Sequence, residues 1–110
     1  CSAAFAEEPH DCTGGRPDAG NCLKQLKAAD AELQALNQRL KKKTAEIPVA
    51  GVSSALRRSH LAWRAYRDAQ CGLEHLLDGT TDQYRPAMVA ACRLGMTQER
   101  IRDVRRQTEL

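Results

Sequence analysis

The residues of this chain best suited to chemistry are its five cysteines, Cys1, Cys12, Cys22, Cys71 and Cys92. Cysteines in such numbers usually serve as metal ligands or as disulfide partners. A zinc site usually contains a tight C-x2-C pair, whereas no two cysteines here lie closer than ten residues apart. The spacing therefore favours disulfides, which form in oxidising compartments outside the cytoplasm.

Four of these cysteines flank two predicted turns. Cys71 and Cys92 lie equally far from a turn near residues 81 and 82, and Cys12 and Cys22 lie on either side of Pro17. A helix hairpin brings together residues that are equally far from its turn. Among the three pairings that four cysteines allow, we therefore predict Cys71–Cys92 and Cys12–Cys22.

The remaining cysteine, Cys1, has two interpretations. A chain that begins Cys-Ser-Ala resembles a mature bacterial lipoprotein, whose first cysteine carries the lipid. Alternatively, Ala-Phe-Ala at residues 4–6 fits a signal-peptidase site. Both interpretations make residues 1–10 a lipoprotein-derived or signal-derived tail before a domain of residues 11–110. Both predict a periplasmic or secreted protein, which in the lipoprotein case would be anchored to the outer membrane.

Histidines offer a second source of metal ligands or catalytic bases, but the sequence gives them no partners. His10, His60 and His75 form no metal-binding pair with one another, and we predict that they are solvated. A nucleophile at Cys71 would need a free thiolate, which the predicted disulfide removes. We therefore predict no catalytic residue, no metal and no cofactor, and a protein that is not an enzyme.

Three amphipathic helices are predicted to position these residues. Leu and Ala, which favour helix, dominate the apolar residues, and they recur at helical spacing in three segments. The first 20 residues are rich in Gly and Pro and are predicted to be a loop. The helices are predicted from an N-cap at Asn21 to about Glu46, from a cap at Ser53 or Ser54 to about Leu77, and from about Asp82 to Gln107.

The predicted fold is all-α, a small three-helix antiparallel bundle with an N-terminal loop arm, stapled by two disulfides. No apolar run reaches the roughly 18 residues of a transmembrane helix. The apolar faces predicted to form the core are Cys22, Leu26, Ala29, Leu33, Leu36, Leu40 and Ile47; then Leu56, Trp63, Tyr66, Leu73 and Leu77; and finally Ala87, Ala91, Leu94, Ile101 and Val104.

The second helix carries Trp63, Tyr66, Arg67 and Asp68 within six residues. Trp63 and Arg67 are four apart, which allows a cation–π contact. Arg67 and Asp68 are adjacent, so we expect them not to face each other and Arg67 to reach a carboxylate on another helix. These residues form either an exposed recognition patch or a core anchor. The core anchor is favoured, because the only Trp of a small domain is usually buried.

The same residues carry a family resemblance. Trp63-x-x-Tyr66-Arg67-Asp68-x-x-Cys71 resembles the W-x-x-[YF]-R-D-x-x-C core of the LprI-like family. Two further segments resemble its other parts: Asp11-Cys12 and Cys22 with residues 32–36 upstream, and Ala91-Cys92 with Thr97, Arg100 and Ile101 downstream. The family usually has Asp where Asn37 stands and often Tyr where Thr44 stands. The resemblance, over residues 11–104, implies a bacterial envelope protein, and one member type inhibits lysozyme.

Two functions follow as hypotheses. The first is inhibition of a lysozyme-type peptidoglycan hydrolase, whose cleft holds two carboxylates. A stapled bundle loses little entropy on docking, and its connectors would supply the contacts through Ser53, Ser54, Asp78, Thr80 and Arg85, with Arg85 meeting the carboxylates. The second is a non-enzymatic envelope protein that binds cell-wall polymer, anionic lipid or a protein partner.

Net charge limits the classes of partner. The chain has 17 basic and 14 acidic residues, a net charge of +3. Nucleic-acid-binding proteins usually show a stronger basic bias, so no nucleic-acid partner is predicted. Animal lysozymes are typically basic as well, so electrostatic steering toward such an enzyme would be weak or repulsive.

Overall fold

A computed structural model describes residues 19–109, which form three α-helices without any strand in that range. They are α1 (Ala19–Thr44), α2 (Val52–Leu77) and α3 (Arg85–Thr108). The predicted all-α, three-helix fold is confirmed. The predicted N-terminal arm and the tail of residues 1–10 lie outside the described residues, so the proposed domain boundary stays a prediction.

The first helix begins and ends two residues earlier than predicted. Asn21 lies inside the first turn of α1 and is not its N-cap. At the other end, the Thr44 hydroxyl donates to the Leu40 carbonyl at 2.9 Å, after three lysines that suit the negative end of the helix dipole. Ile47 therefore lies in the connector and is 46% exposed, so its predicted place in the core is wrong.

The second and third helices begin at residues that sequence reasoning did not select. Gly51 is the N-cap of α2 with φ of 90°, a left-handed conformation that glycine adopts without steric cost. Ser53 and Ser54 consequently lie within the first turn, and the prediction that either is the cap is wrong. Tyr84 is the N-cap of α3, and Pro86 occupies its first turn, where a missing N–H costs nothing.

The helices run up, down and up. Asp30 pairs with Arg67 and Asn37 bonds to His60, so residue numbers rise along α1 as they fall along α2. The disulfide and the Arg100–Ser59 hydrogen bond show the same antiparallel relation between α2 and α3. The result is an elongated molecule of 51 × 23 × 21 Å. None of the helices in residues 19–109 is both long and apolar enough to span a bilayer.

The core forms mainly between α1 and α3, which pack along much of their length. The predicted apolar faces of α1 from Cys22 to Leu40 and of α3 from Ala87 to Val104 are buried. Leu56 and Trp63 of α2 pack partly against this core. By contrast, α1 and α2 make few contacts with each other, so α2 is held chiefly by α3.

The predicted apolar face of α2 is only partly correct. Tyr66, Leu73 and Leu77 are 51%, 48% and 76% exposed, whereas Arg67, Cys71 and His75 are buried. Neighbouring positions on a helix differ by about 100° around its axis. Because α2 turns Arg67 toward Asp30 and Cys71 toward Cys92, Tyr66 is carried away from the core.

Candidate functional site

Arg67 lies at the junction of all three helices. Its Nη1 donates to Asp30 of α1 at 2.8 Å and to the Thr97 hydroxyl of α3 at 3.0 Å. Its Nε donates to Asp68 at 2.9 Å. Thr97 in turn donates to the Arg93 carbonyl at 2.7 Å. The Arg67 side chain, which is only 3% exposed, thus donates hydrogen bonds to two carboxylates and a hydroxyl, which meets the requirement that buried charges be paired.

The Arg67–Asp68 contact contradicts the expectation that adjacent residues do not face each other. The Arg67 stem is long enough for its planar head to turn back toward the neighbouring carboxylate. The same Asp68 oxygen also lies 3.3 Å from Nε of Arg93 on α3. Asp68 therefore links α2 to α3 while Asp30 links α2 to α1.

The only tryptophan is surrounded by cationic and aromatic groups. The guanidinium carbons of Arg67 and Arg100 lie 5.4 Å and 5.7 Å from the Trp63 ring centroid. His60 stacks on the same ring at 6.2 Å between centroids. The two arginine distances are those of cation–π contacts. The contact between Trp63 and Arg67 was predicted from their spacing of four residues. Trp63, Arg67, Asp68 and Arg100 therefore contribute to helix packing.

One disulfide lies within residues 19–109, between Cys71 and Cys92, with the Cα atoms 5.7 Å apart. This is the predicted bridge between α2 and α3. Met96 packs against it with its sulfur 3.6 Å from that of Cys71. Cys22 is fully buried at the start of α1. Its predicted partner Cys12, like the lipidation candidate Cys1, lies outside the described residues, so the second bridge stays a prediction.

The turn between α2 and α3 is held by its own polar side chains. Asp78 accepts a hydrogen bond from the Thr80 backbone N–H at 2.9 Å and another from the Thr80 hydroxyl. These two hydrogen bonds have the largest effect on the pKa of Asp78, and the nearby His75 adds to it. Together they hold that pKa below its usual value. Arg85 donates to the Thr80 carbonyl at 2.9 Å and pairs with Asp82. The turn is therefore an ordered structure.

His75 belongs to this turn and is not solvated, in contrast to the prediction. It is buried, and its Nδ1 lies 3.0 Å from Asp78. His60 is half-buried between α1 and α2, where the Asn37 amide donates to its Nδ1 at 3.0 Å. Burial first, and then the nearby Arg64 and Arg100, lower the pKa of His60 below its usual value. The third histidine, His10, lies outside the described residues.

Exposed apolar side chains gather where α2 ends and α3 begins. Leu73, Leu76, Leu77 and Tyr84 are 48%, 64%, 76% and 45% exposed, and we call these four residues the apolar tip. Leu76 and Leu77 end α2 directly before the hydrogen-bonded turn, and Tyr84 directly follows that turn. Exposed apolar patches with polar borders are typical of interaction sites. Sequence reasoning assigned Leu73 and Leu77 to the core and therefore missed this surface.

The predicted contact residues do not come together. Asp78, Thr80 and Arg85 lie at the apolar tip, whereas Ser53 and Ser54 lie at the start of α2, about 36 Å away along a helix that rises about 1.5 Å per residue. Ser53 and Ser54 instead line a groove of about 1300 Å³ between α1 and α2. The structure therefore contains two separate candidate surfaces, the apolar tip and this groove.

Within the part of the chain that the structure describes, no group of three or more His, Cys, Asp or Glu side chains is placed to hold a metal ion. In a comparison with known families, a family model described as lysozyme inhibitor LprI matches residues 12–104. No curated protein and no solved structure matches the chain.

Proposed function

Because the chain belongs to the LprI family, we propose that it binds and inhibits a lysozyme-type peptidoglycan hydrolase outside the cytoplasm. Its role is to occupy the enzyme's surface, and it performs no catalysis of its own. The family match, which extends over most of the chain, supports the class of target.

We place the contact at the apolar tip. Leu76 and Leu77 are the most exposed large apolar residues of the described chain, and they lie at one end of an elongated molecule. Burying a leucine side chain contributes about 1.5–3 kcal/mol. Two such residues provide a substantial anchor without any charge interaction.

The rigidity of the tip favours binding. The Cys71–Cys92 bridge closes the hairpin, and Asp78, Thr80 and Arg85 bond to one another or to their neighbours within the turn. A surface that is already ordered pays less conformational entropy when it docks. The tip can therefore present its leucines in one arrangement before the enzyme arrives.

The contacts of Arg85 in the structure change the role that its sequence position suggested. Its guanidinium already pairs with Asp82 and bonds to the Thr80 carbonyl, so part of its charge is compensated before any enzyme carboxylate approaches. Arg85 then supports the turn in addition to facing a partner. Asp78 and Thr80 likewise hold the frame on which Leu76 and Leu77 are mounted.

The test is lysis of bacterial cell walls by a purified lysozyme, followed by turbidity, with increasing amounts of this protein. The wild-type protein should slow lysis, and the double variant Leu76→Gln/Leu77→Gln should inhibit at least about tenfold more weakly, since each lost leucine contact costs more than about 1 kcal/mol. The matched control is Ile47→Gln/Val49→Gln, which removes two exposed apolar residues at the opposite end and should inhibit like the wild type.

Two results would contradict the proposal at different points. Unchanged lysis at micromolar wild-type protein would overturn the inhibitory function. It would favour the alternative of an envelope protein, which predicts co-sedimentation with cell-wall polymer. Inhibition that survives in the Leu76/Leu77 variant but disappears in the Ile47/Val49 variant would place the contact at the other end of the molecule.

A further inference from the structure

The groove between α1 and α2 is a second surface, separate from the apolar tip. The two helices approach each other mainly through two long-range polar contacts, Asp30–Arg67 and Asn37–His60, and otherwise leave the groove of about 1300 Å³ between them. It extends along α1 from Leu23 to Lys41, a distance of about 27 Å at 1.5 Å per residue.

The size of the groove matches a short helix. Its α2 wall runs from Ser53 to Arg64, about 16 Å or three helical turns. A helix with side chains is about 10–12 Å wide, and three turns of helix have the length of this wall. A fourth helix of this length would complete a four-helix arrangement.

The lining of the groove includes exposed leucines on both walls. Leu23 of α1 and Leu56 and Leu61 of α2 line it, and Leu23 and Leu61 are 51% and 53% exposed. Helix-in-groove recognition uses such leucines to receive apolar anchors spaced at i, i+3, i+4 and i+7. An anionic glycan or a free phosphate offers no apolar face to this lining.

The charge of the groove favours a negatively charged ligand. Lys27, Lys41, Arg57 and Arg64 line it and are exposed, and none of these four forms an ion pair within residues 19–109. The one carboxylate among the described residues of the lining, Asp30, is already paired with Arg67. The rim is thus cationic on both walls.

From the leucine lining, the helical dimensions and the cationic rim, we propose that the groove docks an acidic amphipathic helix of a partner protein. The leucines receive its apolar face, and the four cations flank its acidic residues. This proposal does not depend on lysozyme inhibition, because the groove and the apolar tip share none of the residues that define them.

The experiment uses the full chain and three synthetic peptides of about 18 residues, long enough for measurable helix content. One peptide has a leucine face and glutamates elsewhere, one has the same composition scrambled, and one has lysines in place of glutamates. Binding is followed by the fluorescence of Trp63, on which the groove residue His60 stacks, and by calorimetry. We expect the acidic amphipathic peptide to bind at least tenfold more tightly than the other two.

Matched charge reversals locate the site. Arg57→Glu/Arg64→Glu should weaken binding of the acidic peptide at least tenfold, whereas Arg58→Glu/Arg102→Glu, with the same change in net charge at exposed positions outside the groove, should leave it within about twofold after allowance for weak long-range attraction. Leu61→Gln, which changes no charge, should also weaken binding. Helix content and unfolding temperature should stay unchanged in all three variants.

Three outcomes would overturn the proposal: equal binding of the scrambled peptide, equal loss in both charge-reversal variants, or self-association of the chain that the Arg57/Arg64 variant abolishes. The last outcome would make a second copy the occupant. The Arg57/Arg64 variant should still inhibit lysis in the turbidity assay. Failure of the groove proposal and failure of the inhibitor proposal can therefore be distinguished.

Discussion

Arg67 shows how one side chain can connect three helices. Through a single guanidinium it joins Asp30, Asp68 and Thr97 and covers the face of Trp63. Arginine suits this position because its planar fork directs several donors at once, whereas lysine presents a point charge. The W-x-x-Y-R-D-x-x-C segment is thus mainly a packing motif, with Tyr66 as its exposed member.

Replacing Arg67 with Ala should destabilise the protein by about 3 kcal/mol, near the lower end for a broken buried ion pair, since Asp30 and Asp68 keep some contact with water. Arg67→Lys should recover only part of this loss. Urea unfolding followed by circular dichroism measures the change. Arg102→Ala, at an exposed position, is the control and should fall within about 0.5 kcal/mol of the wild type.

His60 predicts a pH dependence of stability. Burial, Arg64 and Arg100 lower its pKa in the folded state, although Asp30 raises it. The unfolded chain therefore binds the proton first as pH falls below about 6.5, and stability is lost between there and the lowered folded pKa. His60→Gln should show a smaller loss of unfolding free energy between about pH 7 and pH 5. An identical pH profile in wild type and variant would contradict this.

At the scale of the helices, the buried faces of α1 and α3 could be predicted well from the sequence, whereas the buried face of α2 could not. The leucine and alanine stripes of α1 and α3 are long and face each other, so burial follows from periodicity. In α2 the buried positions include Arg67, Cys71 and His75, which a hydrophobic pattern assigns to the surface. Their burial depends on partners far away in sequence, such as Asp30 and Cys92, and the hydrophobic pattern alone does not carry that information.

The same reason explains which parts of the candidate site could be predicted. The turn of residues 78–84 and the Cys71–Cys92 pairing follow from spacing around a turn signal. The apolar tip and the groove do not, because both depend on the rotation of α2 about its axis. A helical wheel centred on Trp63, Arg67 and Cys71 together would have indicated that rotation from the sequence.

The bridge between α2 and α3 should contribute measurable stability. Cys71 and Cys92 are separated by 21 residues, and a loop of that length corresponds to about 3 kcal/mol in the chain-entropy model. Cys71→Ser/Cys92→Ser should therefore lower the free energy of unfolding by about that amount, measured by urea titration. An unchanged denaturation midpoint would show that the ion pairs and the core already fix the hairpin.

At the scale of the molecule, net charge and apolar surface lead to different expectations for the two proposed partners. The chain carries a charge of +3, which gives no long-range attraction to a basic lysozyme. Affinity at the apolar tip must then come from buried leucine surface. The groove, in contrast, relies on four cations to attract an acidic helix.

Raising NaCl from about 50 mM to about 500 mM shortens the Debye length from about 14 Å to about 4 Å. Inhibition of lysozyme should change by less than about twofold or become slightly tighter, after correction for the effect of salt on the enzyme alone. Binding of the acidic peptide to the groove should weaken severalfold under the same change. A strong loss of inhibition in salt would indicate that charges, and not the leucines of the apolar tip, carry that contact.

The 51 Å long axis has a practical consequence for handling the protein. Lys41, Lys42 and Lys43 lie in the last turn of α1, at the end remote from the turn of residues 78–84. Coupling through these amines to a sensor chip or bead would hold the molecule by that end and leave Leu76 and Leu77 facing the liquid. Because Lys24 and Lys27 are exposed near the other end of α1, replacing both with Arg would direct lysine coupling to this cluster and yield a more uniformly oriented layer.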